Sequence, residues 1–373
     1  MSSGEIRARH WRSRQPVRVT WQEGVITRME TLTTAMAEER WLAPMLVDLQ
    51  VSGYAGVDFQ RDDLSLEALV HATRQLRADG CGRFLLTLIT DAWPKLIARL
   101  RRLRQWREQS GELKDSIVGW HLEGPFLSAE PGFHGAHNAD SLCDPTSDHI
   151  AELREIAGLD LLLLTLAPER RGALAAIGQA VSLGITVSLG HTNASAEILR
   201  QAVAAGATGF THLGNACPQQ LDRHDNLLWR VLDTPELTVS LIPDQIHLSP
   251  ALFRLIHRAL PAERVCYITD AVAAAGAGPG RYTTGELEVD VGPDQIVRHP
   301  GRSNFAGSAL RPIDGVIRAA QMLGRPWQEV WDGFSVRPAE FMGLRHQLAP
   351  GEPARFCVIR VSADNCLQEV RVY

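Results

Sequence analysis

Eight short, apolar, partly β-branched segments, at residues 45–53, 83–91, 117–124, 161–169, 185–192, 209–215, 238–244 and 264–271, alternate with stretches of helical periodicity. Alternation of this kind builds a parallel sheet, because each strand returns to the start of its neighbour through a helix. Eight strands is the number that closes such a sheet into a barrel. In the intervening stretches Leu66, Leu69, Val70, Thr73 and Leu76 recur at the spacing of one helix face, as do Ile198, Leu199, Ala202 and Val203 before Gly206 stops the run. A doubly wound open sheet could use the same parts, but no GxGxxG follows the first segment, so the dinucleotide-binding version loses its usual support. The expected fold class is therefore α/β, a (β/α)8 TIM-type barrel.

Both chain ends fall outside that repeat. Residues 1–43 and 346–373 carry short alternating runs, such as Val17-Arg18-Val19-Thr20-Trp21 and Phe356-Cys357-Val358-Ile359-Arg360-Val361. They are expected to join as a small β-sandwich domain beside a barrel spanning 44–345. The Gly-rich stretch 276–309, with one hairpin expected at 286–291 against 295–298, interrupts the connection after the eighth strand and is a lid candidate. A formal net charge of -5 provides no basic footprint for nucleic acid. The longest apolar runs, such as Leu161 to Leu166, fall far short of the roughly 20 residues a membrane-spanning helix needs. Arg7, Arg9, Arg12 and Arg14 lie among polar residues without the apolar stretch of a signal peptide, so a cytoplasmic protein is expected. Six dispersed cysteines without a CxxC pair are read as reduced thiols, Cys217 lying close to a candidate ligand. The arginines between Arg99 and Arg107 are read as a solvated helix face.

The residue types that carry chemistry fall in one place. Glu123, His191, His212 and Asp270 each end a different expected strand, and the carboxyl ends of barrel strands converge on one face. One such residue is ordinarily structural; four on strands three, five, six and eight point to a site. Two neutral imidazoles and a carboxylate suit one divalent ion, usually zinc, with a position left for water. Such an ion lowers the pKa of its water from about 15.7 toward neutrality, so that a neighbouring carboxylate, here Asp270, can act as the base.

The motifs around these residues are Trp120-His121-Leu122-Glu123-Gly124-Pro125-Phe126, Gly135-Ala136-His137, Leu189-Gly190-His191-Thr192, Thr211-His212-Leu213-Gly214-Asn215-Ala216, Ile268-Thr269-Asp270-Ala271 and Phe305-Ala306-Gly307-Ser308. Together they resemble the N-acetylglucosamine-6-phosphate deacetylase family of the amidohydrolase superfamily, from about Val47 to Pro338. The resemblance implies deacetylation of an amino-sugar phosphate by a homodimer, with Glu123, His191 and His212 as ligands and Asp270 as a base that later protonates the leaving amine. It implies that His247 stabilises the oxyanion and that Ala136, His137, Asn215 and Ala216 hold the sugar. Arg223 would grip the phosphate, often from a neighbouring subunit, while Phe305, Ala306 and Gly307 would close over the substrate. Three places depart from the family pattern. Gln50-Val51-Ser52 stands where single-metal relatives carry Q-x-N and two-metal relatives H-x-H, so one metal is expected and Gln50 is left to order a water or touch substrate. Gln245 replaces a common glycine, and Arg223-His224-Asp225-Asn226 replaces the usual arginine, acid, proline and glycine. These changes keep open a different N-acyl sugar or small amide as substrate, and a non-catalytic sugar-phosphate binder.

Overall fold

The computed structural model describes residues 3–33, 40–301, 305–362 and 366–373. The eight expected segments form one parallel sheet whose strands are neighbours in chain order: Leu46–Val51, Cys81–Ile89, Ile117–Glu123, Leu161–Leu166, Thr186–Leu189, Gly209–Phe210, Thr238–Leu241 and Val265–Tyr267. A parallel bridge between Val51 and Ala271 brings the eighth strand back to the first, so the barrel is nearly closed. The first strand is buried along its whole length, as a strand covered on both faces must be. Its apolar residues divide between two clusters: Val47 and Leu49 join Leu85, Leu163, Ile242 and Ile268, whereas Leu46 and Val51, beyond a register irregularity between Asp48 and Val51, join the larger core.

Helices lie in the connections, and their starts are written in the sequence. Ser65, Ser195 and Ser249 each accept a backbone N–H of the first turn, capping Leu66–Ala78, Ala196–Ala204 and Pro250–Ala259. The first helix buries Leu69, Ala72, Thr73 and Leu76, much as its periodicity predicts. The arginines of Trp93–Gln109 are not all solvated. Arg99 and Arg107 are buried and ion-paired with Asp91 at 2.6 Å and Asp160 at 2.7 Å, because their guanidinium groups find carboxylates on flanking elements.

The chain ends meet as expected, but as one sheet rather than the two facing sheets of a sandwich. Its order is Leu367–Val372, Phe356–Val361, Trp41–Pro44, Gly4–His10, Pro16–Gln22 and Val25–Thr31. Trp41–Pro44 pairs antiparallel with the C-terminal strand and parallel with Gly4–His10, which makes it the seam. The hairpin expected within 276–309 is present, Leu287–Val291 pairing with Val297–Arg298, and an unexpected strand, Gly280–Thr284, pairs on its other side. The Gly285 N–H of the turn donates to Asp58 at 2.8 Å, anchoring this small sheet over the mouth of the barrel. Among the described residues no helix is long and apolar enough to cross a membrane, and the six cysteines are free thiols.

Candidate active site

Glu123 is the last residue of the third strand; His191 and His212 follow the fifth and sixth by two residues, and Asp270 follows the eighth by three. His191, His212 and Asp270 have φ of 51°, 35° and 53°. Left-handed backbone costs an L-residue about 1–2 kcal/mol, so the strand ends carry strain where side chains must turn back over the mouth. The result is a triangle: Glu123 Oε1 lies 2.8 Å from His212 Nε2 and 3.2 Å from His191 Nε2, and the two nitrogens are 3.1 Å apart. His191 Nδ1–H donates to the Phe133 carbonyl at 3.1 Å, which leaves a neutral ring with its Nε2 lone pair toward the triangle. His212 Nδ1 is buried without a partner among the described residues.

Electrostatics tighten the same group. Burial works against the Glu123 charge, but hydrogen bonds and charge from His191 and His212 outweigh it and hold the carboxyl well below its usual range. Burial raises Asp270 to about 7, helped by the charge of Glu123 and opposed by His212 and His247. Gln50 couples the two acids, its Nε2 donating to Glu123 Oε1 at 2.9 Å and to Asp270 Oδ1 at 2.8 Å.

His247, on the loop after the seventh strand, holds Asp244 Oδ2 through Nδ1 at 2.6 Å. Burial disfavours the Asp244 charge, yet that bond, the His247 charge and the N–H groups of His247 and Ile246 lower its pKa overall. The Phe305 ring stands edge-on to His247 at 5.1 Å. Glycine is required at Gly135 and Gly307, both with positive φ: a Cβ would come within 3.0 Å of His191 Cε1 in the first and 2.3 Å of Val272 Cγ1 in the second.

These groups line one cleft of about 420 Å³. It contains Glu123, His191, His212, Asp270 and His247, together with Ala136, His137, Asn215, Ala216, Phe305, Ala306 and Gly307 of the expected substrate residues. Two expected residues stand apart. Gln50 is buried behind the wall with its amide hydrogens committed to two carboxylates, and Arg223 is exposed outside the cleft, its nearest bonded partner being His224 at 3.0 Å. Ser52 reaches the wall, but its Oγ donates to the Ala271 carbonyl at 2.9 Å, across the seam of the barrel. Sequence reasoning missed Ile89, Thr284 and Leu287, which also line the cleft. Thr284 ends the unexpected strand Gly280–Thr284, whereas Leu287 opens the expected hairpin, whose position over the mouth the sequence did not announce.

No family model matches the sequence. The chain is 31% identical over 332 residues to an N-acetylglucosamine-6-phosphate deacetylase of Vibrio furnissii, covering 89% of this chain and 81% of that one. It is 30% identical over 353 residues to an N-acetylgalactosamine-6-phosphate deacetylase of Escherichia coli O157:H7, covering 93% and 91%. Among solved structures, an aspartate-to-alanine variant of the Mycobacterium smegmatis N-acetyl-D-glucosamine-6-phosphate deacetylase, bound to N-acetyl-D-glucosamine-6-phosphate, superposes with a TM-score of 0.87. That match has 28% identity and covers 100% of this chain and 98% of that one.

Proposed function

The chain belongs to the N-acetylglucosamine-6-phosphate deacetylase family of amide hydrolases, and from that premise we propose that it cleaves the acetamide of an N-acetylhexosamine 6-phosphate to acetate and the free amine. N-acetylglucosamine 6-phosphate is the leading substrate. The observation that carries the reading is the convergence of Glu123, His191 and His212 beside Asp270.

The donor set fits a divalent cation. Edges of 2.8, 3.1 and 3.2 Å come close to the ~3.3 Å that tetrahedral bonds of ~2.0–2.1 Å set between neighbouring ligands. Three lone-pair atoms packed this closely repel one another unless a proton or a cation lies between them. Glu123, His191 and His212 would hold one ion, zinc by ligand chemistry, and the first strand offers Gln50 and Ser52 in place of the imidazoles of a second site. Such an ion, when bound, supplies Lewis acidity that polarises the amide and brings a water's pKa toward neutrality.

The chain's own groups do the proton work. Asp270, held by Gln50, takes a proton from the attacking water, and the new C–O bond forms at the acetyl carbon. His247, its Nδ1 fixed by Asp244, donates through Nε2 to the carbonyl oxygen as negative charge develops there. Asp270 then returns the proton to the nitrogen, the C–N bond breaks, and acetate and the amine leave. Ala136, His137, Asn215 and Ala216 hold the sugar, and Phe305 to Gly307 close over it. Arg223, exposed on its own subunit, would meet the phosphate of a second copy in a homodimer through its guanidinium fork.

The test is turnover of N-acetylglucosamine 6-phosphate by zinc-loaded enzyme, with metal analysis, against Asp270→Asn. We expect a loss of about 10²–10⁴-fold in kcat with metal retained, the range for removing a positioned general base. Turnover within threefold of the native rate would reject Asp270 as the base. A parallel assay with N-acetylgalactosamine 6-phosphate and with unphosphorylated sugars ranks the substrate.

A further inference from the structure

His121 has no part in the chemistry above, yet it sits at the centre of a long buried polar chain in the barrel. It is fully buried, and its Nδ1 lies 3.2 Å from Thr87 Oγ1 and its Nε2 2.9 Å from Thr165 Oγ1. The chain continues in both directions. Thr87 Oγ1 accepts the Val51 N–H at 2.9 Å; Thr165 Oγ1 meets Thr211 Oγ1 at 2.8 Å, and Thr211 Oγ1 meets Ser188 Oγ at 2.7 Å. One hydrogen-bonded belt thus joins the first six strands across the barrel interior.

The belt touches the site at every end. Val51 adjoins Gln50, Thr211 adjoins His212, and Ser188 lies on the strand that leads to His191. Thr165 is the register partner of Glu123, and His121 shares a strand face with Glu123, two residues before it. A buried histidine must be satisfied wherever it lies, and that alone explains two hydrogen bonds. It does not explain why the bonded path runs through the register partner of Glu123 and the chain neighbours of Gln50 and His212. A neutral ring offers one donor and one acceptor at fixed separation, which lets one side chain tie Thr87 to Thr165 with no torsional slack beyond χ1 and χ2.

We propose that His121 is a positioning residue: by bridging Thr87 and Thr165 it fixes the layer of the barrel from which Glu123 and His212 project, and so sets the affinity of the cation site. The proposal rests on the metal reading above. Loss of an outer partner of a metal site lowers affinity by about 10–100-fold in general, and a residue acting through a second hydroxyl belongs at the lower end.

The experiment measures zinc affinity of the full chain by chelator competition, the melting temperature of the metal-free protein, and KM and kcat at saturating zinc. His121→Phe, which fills the space and breaks both bonds, is expected to weaken zinc about tenfold and to lower kcat while leaving KM within about twofold. His121→Gln, whose amide keeps a donor and an acceptor, should recover most of the affinity. Thr165→Val cuts the same belt with little change in shape and should weaken zinc by a similar factor; if His121→Phe fails to fold, this variant decides on the same readouts. A lowered melting temperature with zinc affinity within twofold of native in both variants would make His121 merely structural and overturn the proposal. Native protein that binds no zinc at all would overturn the metal reading itself, and with it this inference.

Discussion

The strand-end cluster and the loop that carries Arg223 sit on the same face of the barrel and are built in opposite ways. Gln50, Glu123, His191 and His212 are buried, and each is bonded to another member of the group. Arg223 is exposed, with only its chain neighbour among the described residues for a side-chain partner, on a segment fixed mainly by local bonds such as the His224 and Asp225 N–H groups to Asp222. On the proposed function the chemistry would be set by a buried, cross-bonded scaffold within one subunit, and grip on the charged end of a substrate would be left to an exposed rim. Damage to the first should appear in kcat for any acyl substrate, and damage to the second in KM for phosphorylated ones alone.

The harshest challenge to that division is Asp244→Asn. His247 would lose the carboxylate that fixes its Nδ1 proton, and a weakened oxyanion donor costs about 10²–10³-fold in kcat. Steady-state kinetics should show that drop with KM and bound zinc unchanged. A loss expressed in KM for the phosphorylated substrate instead would move His247 to the rim side of the comparison.

The rigidity of the cluster also has a pH signature in metal-free protein. Asp270 is raised from its ordinary value to about 7, as is Asp48, and Asp58 to about 6, all chiefly by burial. A carboxyl whose folded pKa is raised contributes stability that is whole below its unfolded pKa, near 3.8, and is lost as pH climbs through the folded value. Metal-free protein should accordingly weaken between about pH 4 and pH 7. In Asp270→Asn that share of the loss disappears, so the variant should exceed native stability by up to a few kcal/mol at pH 8 and by little at pH 4. Urea melts at the two pH values decide it, and equal slopes with pH would mean that Asp270 is not the strained acid of the cluster.

Arg223→Ala addresses the rim. A charge-assisted guanidinium–phosphate contact is worth about 1.5–3 kcal/mol, so KM for the sugar phosphate should rise by roughly 10–100-fold while kcat stays within a few-fold. Unphosphorylated N-acetyl sugar should be hydrolysed as before. Equal losses on both substrates would show that the loop shapes the cluster after all.

The two regions were also unequally legible in the sequence. The barrel could be read because its strands are buried on both faces, and seven of the eight strands end within a few residues of the expected boundaries. The exception is instructive: apolar continuity suggested 209–215, but the strand stops at Phe210 because His212 at φ 35° and Gly214 at φ 95° turn the chain into the site. The strand-end cluster was legible because strand ends converge. His121 was not, since its hydrogen-bonding partners are hydroxyls on other strands and no local spacing announces them. The strand Gly280–Thr284 was missed because its exposed Gly280 and Arg281 lack the alternation of a half-buried strand. One sheet replaced the expected sandwich because Trp41–Pro44 pairs with strands from both ends, a long-range contact that alternating patterns cannot specify.

Gln245 tests the boundary between the regions at its smallest scale. It is exposed, two residues before His247, and holds φ at 65°, where the family commonly has glycine. Relief of left-handed strain should return about 1–2 kcal/mol, and the added freedom of glycine in the unfolded chain should take back about 0.5–1 kcal/mol. Gln245→Gly also loses the exposed 3.3 Å bond from Nε2 to Gln321 Oε1, so the net gain should be no more than about 1 kcal/mol by urea midpoint. Because Asp244, not Gln245, holds the His247 ring, kcat should stay within twofold of native. A fall in kcat without a fall in stability would mean that the loop backbone, rather than the Asp244 carboxylate, sets the position of His247, and the rigid cluster would then extend into the rim.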